Sequence, residues 1–508
     1  MTAKTIMVMG TSSSAGKSLL TAALCRCLAR RGLRVAPFKA QNMSNNAAVC
    51  SNGAEIGRSQ ALQAIAAGVS PHCDMNPILL KPEGQTRSQV IVDGRPLKTL
   101  SAVDYFQRRG QLWPHVTAAL DRLRERFDVV VIEGAGSPAE LNLADVEMVN
   151  MSVARYCRAP VILVGDIERG GVFAQLLGTL WLLEPEDRAL VQGLIVNKFR
   201  GDLSLFDSGV EILQRRGGVD VLGVLPWIEG LRLPEEDALA LSVTPEPASI
   251  QPDARMDVVV IHLPHIANFD DFDPLAAEQE VRLRYVQSGE QLGQPDAIIL
   301  PGTKNTLADL AWLRQTGLAQ QIEHLASAGT MVVGICGGYQ MLGRAIDNPD
   351  CLEGGTPHAV GLGLLDAQTT FAADKHTCQV ELQITDDTIA PGVLGQLVRG
   401  YEIHIGRTVS TSPWLIGSTG GVDGARTGDS RIWGCYLHGL FYNDHFRSAW
   451  LEKLSGVAAS TKHSSHDDLT SAIDRLADTF EQYVDIDRVM KIIMEPIFTE
   501  DAQHVGGR

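Results

Sequence analysis

Two short stretches carry residue types that do chemistry rather than packing. The first is VMGTSSSAGKSLLTA, from Val8 to Ala22. Gly10, Thr11, Ser12, Ser13, Ser14, Ala15, Gly16, Lys17 and Ser18 stand between an apolar run and a helical pattern. Strand before and helix after is the setting in which a glycine-rich loop cradles phosphate. Backbone N–H groups of the turn and of the helix start attract the anion. Lys17 reaches the terminal phosphates, and the Ser18 hydroxyl sits on Mg2+. Five residues separate Gly10 from Gly16, one more than in the common loop. A Ser/Gly turn capping a helix is the plainer reading, but the strand–loop–helix context favours ATP with Mg2+.

The second stretch is VVGICGGYQMLG, Val332–Gly343. Cys336 falls between a buried strand and a helix start, with Gly334 and Gly338 around it. This is the plan of a nucleophile elbow, with cysteine in place of serine. The glycines relieve crowding at a sharp turn, and the helix start offers N–H groups to an oxyanion. An inert buried cysteine is the alternative, since that is the commoner fate of the residue. A nucleophilic thiol needs a base. Three histidines compete for that role: His438 in GCYLHGLF, His404 in GYEIHIGR and His265 in LPHIANFDDFD.

Other candidates end apolar runs. Glu133, in DVVVIEGAGSP, is either a metal ligand beside the phosphate loop or a capping acid. Lys39, in FKAQNMSNN, reaches a γ-phosphate or is simply solvated. Asn197, in NKFRGD, bonds a base edge or makes a turn.

The elements that must position these groups alternate strand and helix. Thr5–Gly10, Leu33–Phe38, Val129–Gly134, Pro160–Gly165, Gly193–Lys198 and Val221–Pro226 read as doubly buried strands with helical patterns between several of them. That predicts a parallel sheet covered on both faces. Leu233–Arg255 is rich in proline and acid and reads as a domain junction. A second alternating set follows at Asp257–Pro264, Ala297–Gly302, Thr330–Gly338, Gly400–Gly406 and Arg431–Gly439. The 508 residues carry 44 basic and 60 acidic side chains, a formal charge of −16, which argues against broad nucleic-acid binding. No apolar run approaches the ~20 residues of a membrane span. MTAKTIMVMG lacks the apolar core and cleavage site of a secretory leader. The nine cysteines show no framework spacing, so a reduced, cytoplasmic setting is expected.

The long phosphate loop resembles that of the dethiobiotin synthetase and MinD group of ATPases. Gly-Ile-Cys-Gly-Gly-Tyr-Gln followed by Tyr-Leu-His-Gly resembles the triad type of glutamine amidotransferase domain. That type carries His-x-Glu, whereas here Leu440 follows His438 and Gly439. Loss of this acid marks the cobyric acid and cobyrinic acid diamide synthase family. LPGTKNT, Leu300–Thr306, matches that family's oxyanion loop, with Gly302 and Gly337 as N–H donors. QNMSNN, GAEIGRSQALQA, MNPILLKP and SQVIVDG resemble its cobyric acid branch.

The resemblance implies a P-loop NTPase-like parallel-sheet domain over 1–232, a linker over 233–255 and a triad-type amidotransferase α/β domain over 256–455. Residues 456–508 would form a helical extension packed on the second domain. Cys336 and His438 would be catalytic. Residues 10–18, Lys39 and Asn197 would bind ATP, with Ser18 and Glu133 on the metal. The implied partners are small molecules: a corrinoid, L-glutamine and ATP. The implied reaction is amidation of the b, d, e and g carboxylates of adenosylcobyrinic acid a,c-diamide, on the way to cobalamin. Amidation of a and c by the sister enzyme is one alternative. The other is a MinD-like ATPase switch with a decayed amidotransferase half. Such switches keep a lysine early in the loop, where Thr11 and Ser12 stand here.

Overall fold

A computed structural model describes residues 2–84, 86–234, 254–457 and 464–495, with backbone alone at 144–146. The first half is built on a six-stranded sheet. Its order is Val221–Pro226, Val191–Phe199, Val161–Asp166, Lys4–Gly10, Val129–Glu133 and Val35–Phe38. Every neighbouring pair in it is parallel. The inner strands are buried at nearly every position, which is why they read as unbroken apolar runs rather than alternations. All six predicted strands are present. Glu133 ends its strand beside the central one, at the carboxyl edge where open α/β sheets hold ligands.

The second half repeats the plan. Parallel strands Val281–Val286, Met256–Ile261, Ala297–Leu300, Met331–Ile335 and Ile432–Cys435 form its sheet, with Ala425–Arg426 antiparallel at one edge. The predicted strand at Gly400–Gly406 lies elsewhere. It belongs to Leu397–His404, which pairs antiparallel with His376–Ile384 in a separate four-stranded sheet. Most of the junction expected at Leu233–Arg255 lies outside the described residues.

One sheet of the first half was not anticipated. Ile78–Pro82, Arg87–Val92 and Arg95–Ser101 form an antiparallel meander, with Gln41–Met43 along its edge. Asp93-Gly94 turns the last hairpin with both residues at positive φ, 50° and 76°. Asp-Gly between alternating strands is a strong hairpin signal, so this element was legible.

The C-terminal helices correct the expected packing. Helix Ser465–Tyr483 packs its apolar face on helix Lys17–Arg30 of the first half, while its first residue, Ser465, meets Asp444 and Arg447 of the second. Ile473, Leu476 and Phe480 share a buried cluster with Leu20, Leu24 and Leu28. Around it Arg26 meets Asp474 at 2.7 Å, Arg30 meets Asp478 at 2.6 Å, and Arg31 meets Glu481. The apolar stripe of the late helix, spaced i, i+3, i+7, finds an apolar face rimmed by arginines. That complementarity outweighs nearness in sequence to the second half. Phe480 is 1% exposed, so Phe480→Ala should cost ~3–5 kcal/mol. Denaturant unfolding followed on the full chain should show the loss, and an unchanged midpoint would mean the helix does not stabilise the first half.

Candidate active sites

The phosphate loop leaves the central strand at Gly10 and enters a helix at Lys17. Ser14 and Gly16 take positive φ, 59° and 100°. A Cβ at Gly16 would stand 2.1 Å from Asn197 Nδ2, so only glycine fits there. Asn197 donates to the Ala15 carbonyl at 2.9 Å. Lys198 donates to the Ser14 carbonyl at 2.7 Å and to Asp166 at 2.8 Å. Thr11 is held by Gln175. Asn197 therefore shapes the loop itself. Lys17 is buried, its ammonium bonded to the carbonyls of Ser12 at 2.8 Å and Gly136 at 3.0 Å.

Glu133, Lys39 and Ser18 meet as the sequence suggested. Ser18 Oγ donates to Glu133 Oε1 at 2.8 Å and Lys39 Nζ to the same oxygen at 2.9 Å. Gln63 and Gln60 donate to Oε2 at 2.6 and 3.2 Å. Burial pushes the Glu133 carboxyl pKa up, but the Lys39 charge and these hydrogen bonds outweigh it and hold the group below its ordinary value. Gln60 and Gln63 were missed as site residues. They sit at i and i+3 on one helix, a pattern that alone names no partner. A cavity of about 1190 Å³ opens here, lined by Lys17, Lys39, Glu133, Tyr105, Arg109 and Trp227 among others.

The second site is built at the turn after Met331–Ile335. Cys336 has φ 52°, a strained conformation for a non-glycine residue. Gly338 makes it possible: a Cβ there would lie 1.9 Å from the Leu300 carbonyl oxygen. Gly337 begins the helix, so its N–H has no intrahelical acceptor. Gly302 approaches from the neighbouring strand end, where a Cβ would stand 2.8 Å from His438 Cε1. Of the two glycines expected to bind an oxyanion, Gly337 thus directly follows Cys336 and Gly302 lies against His438.

His438 is the histidine that meets Cys336. Its Nδ1 bonds Asp271 Oδ2 at 2.7 Å, and the other oxygen of Asp271 accepts from Gly439 N–H at 2.8 Å. Burial lowers the pKa of the imidazole, but the charges of Asp271 and Cys336 and their hydrogen bonds reverse this, raising it to about 10. Asp271 is the acid that the missing His-x-Glu left unassigned. It lies in NFDDFD, 167 residues before His438, and no local spacing connects the two. His404 instead stacks on Tyr436 with ring centroids 3.7 Å apart, and burial keeps its pKa below the ordinary value. His265 pairs with Asp309 at 2.6 Å. Neither rival takes the base position.

A thiol, an imidazole bonded to a carboxylate and nearby glycine N–H groups are the parts that an amide-cleaving site requires. Comparison with known proteins agrees for both halves. The CobB/CobQ-like glutamine amidotransferase domain matches residues 257–446, and the CobQ/CobB/MinD/ParA nucleotide binding domain matches 6–240. A cobyric acid synthase of Roseiflexus castenholzii is 54% identical over 89% of this chain and 92% of its own. That of Chloroflexus aurantiacus is 51% identical over 97% of this chain and all of its own. The chain belongs to the cobyric acid synthase family. It is an ATP-dependent amide ligase that draws its nitrogen from glutamine.

In this family member the Asp271–His438 contact should be visible in stability as well as rate. The pKa of His438 is raised by folding, so the contact stabilises fully below pH ~6.5 and is lost as pH rises through about 10. Asp271→Asn should therefore be destabilising at pH 6, with the gap to the parent narrowing towards pH 10 in urea melts. Glutaminase turnover should fall ~10²-fold or more, with ammonium-dependent ligation retained. A constant gap across that range would remove the charge from this account.

Proposed function

We propose that the chain amidates the b, d, e and g side-chain carboxylates of adenosylcobyrinic acid a,c-diamide, giving adenosylcobyric acid in cobalamin biosynthesis. The observation that carries this reading is the pairing of a complete phosphate loop with a complete cysteine–histidine–aspartate set on one chain, in a family named for that product. The cavity beside Lys17 supports a large second substrate. Its 1190 Å³ exceeds the ~300–1,000 Å³ of ordinary ligand pockets.

In the second half, Cys336 Sγ attacks the glutamine side-chain carbonyl while His438, whose raised pKa favours the imidazolium, holds the proton destined for the leaving nitrogen. The negative oxygen is held by the N–H groups of Gly302 and Gly337. His438 gives that proton to the leaving nitrogen, ammonia departs, and a thioester remains. Water, deprotonated by the same imidazole, releases glutamate and the thiol. In the first half the substrate carboxylate attacks the γ-phosphorus of ATP. ADP leaves, an acyl phosphate forms, and ammonia displaces phosphate to give the amide. Lys17 exchanges its loop carbonyls for phosphate oxygens and stabilises their charge.

Ser18 and Glu133 are the residues that would hold Mg2+. They offer hard oxygen donors side by side at the base of the loop. Four groups already donate to the carboxylate, which suits contact through an intervening water. When bound, the ion neutralises charge on the transferring phosphoryl group. Lys39 and the two glutamines fix the carboxylate's orientation.

Separated sites give opposite mutant signatures. Cys336→Ala should lose glutamine-dependent amidation yet keep activity with ammonium at alkaline pH. Lys17→Ala should lose ~10²–10³-fold with either nitrogen source, while Cys336 remains open to alkylation by a glutamine-mimicking electrophile. Glu133→Gln should share the double loss, partly restored at high Mg2+. Product mass and position, read with both candidate corrinoids, test the substrate. A Lys17→Ala enzyme that amidates normally with ammonium would remove the ATP step.

A further inference from the structure

The hairpin behind the catalytic cysteine gathers four metal-type donors that the amide chemistry leaves unused. Strands His376–Ile384 and Leu397–His404 pair antiparallel, with His376 opposite His404 and Cys378 opposite Glu402. Residues two apart on a strand share a face with their cross-strand partners, so all four side chains lie on one face of the pair, with His404 meeting the set through Glu402. Cys378 Sγ lies 3.0 Å from His376 Nε2. That nitrogen lies 3.1 Å from Glu402 Oε2, which lies 3.4 Å from His404 Nε2. The donor atoms of His376, Cys378 and Glu402 all fall within 4.8 Å of one another. Bonds of ~2.0–2.3 Å in a tetrahedral site put its ligands ~3.3–3.6 Å apart. The observed contacts lie within a few tenths of an ångström of those edges.

Proton placement on His404 points the same way. Its Nδ1 faces the Gly406 carbonyl at 3.1 Å and can only donate to it. Its Nε2 is left facing the Glu402 carboxylate at 3.4 Å. A backbone carbonyl fixing the far ring nitrogen is the usual arrangement behind a metal-bound imidazole. Glu402 is buried and Cys378 half-buried, while His376 is exposed, which gives an ion a path from solvent.

We propose that His376, Cys378, Glu402 and His404 bind one divalent transition-metal ion of the zinc class. One thiolate, two imidazoles and a carboxylate suit zinc and disfavour magnesium or calcium. The ion would clip the two strands together. Just before Glu402, Tyr401 stacks on His438 with centroids 5.2 Å apart, and between Glu402 and His404 the Ile403 carbonyl accepts from the Cys336 thiol at 3.4 Å. The clip therefore braces the strand against which the catalytic pair rests.

The test uses the full chain, stripped with a chelator and then loaded with Zn2+ or with Co2+ as a coloured substitute. After dialysis one equivalent of zinc should remain. Cobalt should give a near-ultraviolet thiolate charge-transfer band with visible bands of tetrahedral intensity. Cys378→Ser should abolish the charge-transfer band, and His376→Ala should weaken zinc at least ~10-fold. Both should keep the parent's far-ultraviolet circular dichroism. Cys336→Ala should keep the band. Failure to retain zinc above background would overturn the proposal. So would a band that survives Cys378→Ser and disappears in Cys336→Ala, which would place the ion on the catalytic thiol.

Discussion

One carboxamide, that of Asn268, ties the two halves of the chain together at the catalytic histidine. Its backbone N–H donates to Asn46 Oδ1 at 2.7 Å, and its own Oδ1 accepts from Ala47 N–H at 3.0 Å. Its Nδ2 stands 3.4 Å from His438 Nε2. All of these groups are buried, and an unmade hydrogen bond there costs ~1–3 kcal/mol. Two buried ion-pair clusters reinforce the seam. Arg58 meets Asp270 at 2.6 Å, next to the acid that orients His438. Glu55 meets Lys81 at 2.7 Å from its own half and Lys375 from the other. Breaking one partner of such a pair strands a buried charge. The halves are thus committed to one relative placement, and the glutamine-cleaving site is roofed by residues of the nucleotide half. Ammonia released into bulk water at neutral pH becomes ammonium and loses its nucleophilic lone pair. A thiol 6% exposed and an imidazole 1% exposed, closed over by the other half, keep that nitrogen from water.

The two sites handle charge differently. Cys336 sits in a preformed environment: strained backbone, helix start and an Asp271–His438 pair already in contact. Preorganised dipoles of this kind do not need to reorient during the reaction. At the phosphate loop the charges are instead parked on each other. Lys17 is bonded to carbonyls of its own loop and of the glycine turn after Glu133, and Lys39 is bonded to Glu133. A nucleotide must exchange these contacts for its own. Because the ammonium is satisfied either way, the buried lysine costs little before the ligand arrives.

Most of the fold was legible where local rules decide it. Doubly buried strands announce themselves as apolar runs, and Gly16 and Gly338 mark turns between strand and helix, although the groups that exclude a Cβ there, Asn197 and the Leu300 carbonyl, are distant in sequence. Cys336, Lys17 and Ser18 stood out as candidates because strand, loop and helix are contiguous there. Three things were not found. Asp271 and His438, 167 positions apart, meet only once the chain between them has folded. Gln60 and Gln63 gain meaning only from a carboxylate on another strand. The late helix was misplaced because sequence proximity says nothing about which distant apolar face carries matching charges. Each miss is a contact made by tertiary packing, for which no spacing rule exists.

The stretch Gln41–Val49 is where the separate chemistries become one enzyme. Gln41, Asn42 and Met43 line the large cavity beside the phosphate loop. Asn46 and Ala47 bond Asn268, and the Val49 carbonyl accepts from Gln379 in the sheet that carries Tyr401. Val49 and Ala47 share a small buried cluster with Ile403, whose carbonyl holds the Cys336 thiol. Close-packed interiors transmit small shifts because they contain few voids to absorb them. An occupant pressing on Met43, 55% exposed towards solvent, therefore acts on a chain segment bonded only a few residues later to the residue beside His438. A short segment therefore joins the large cavity to the residue beside the catalytic histidine.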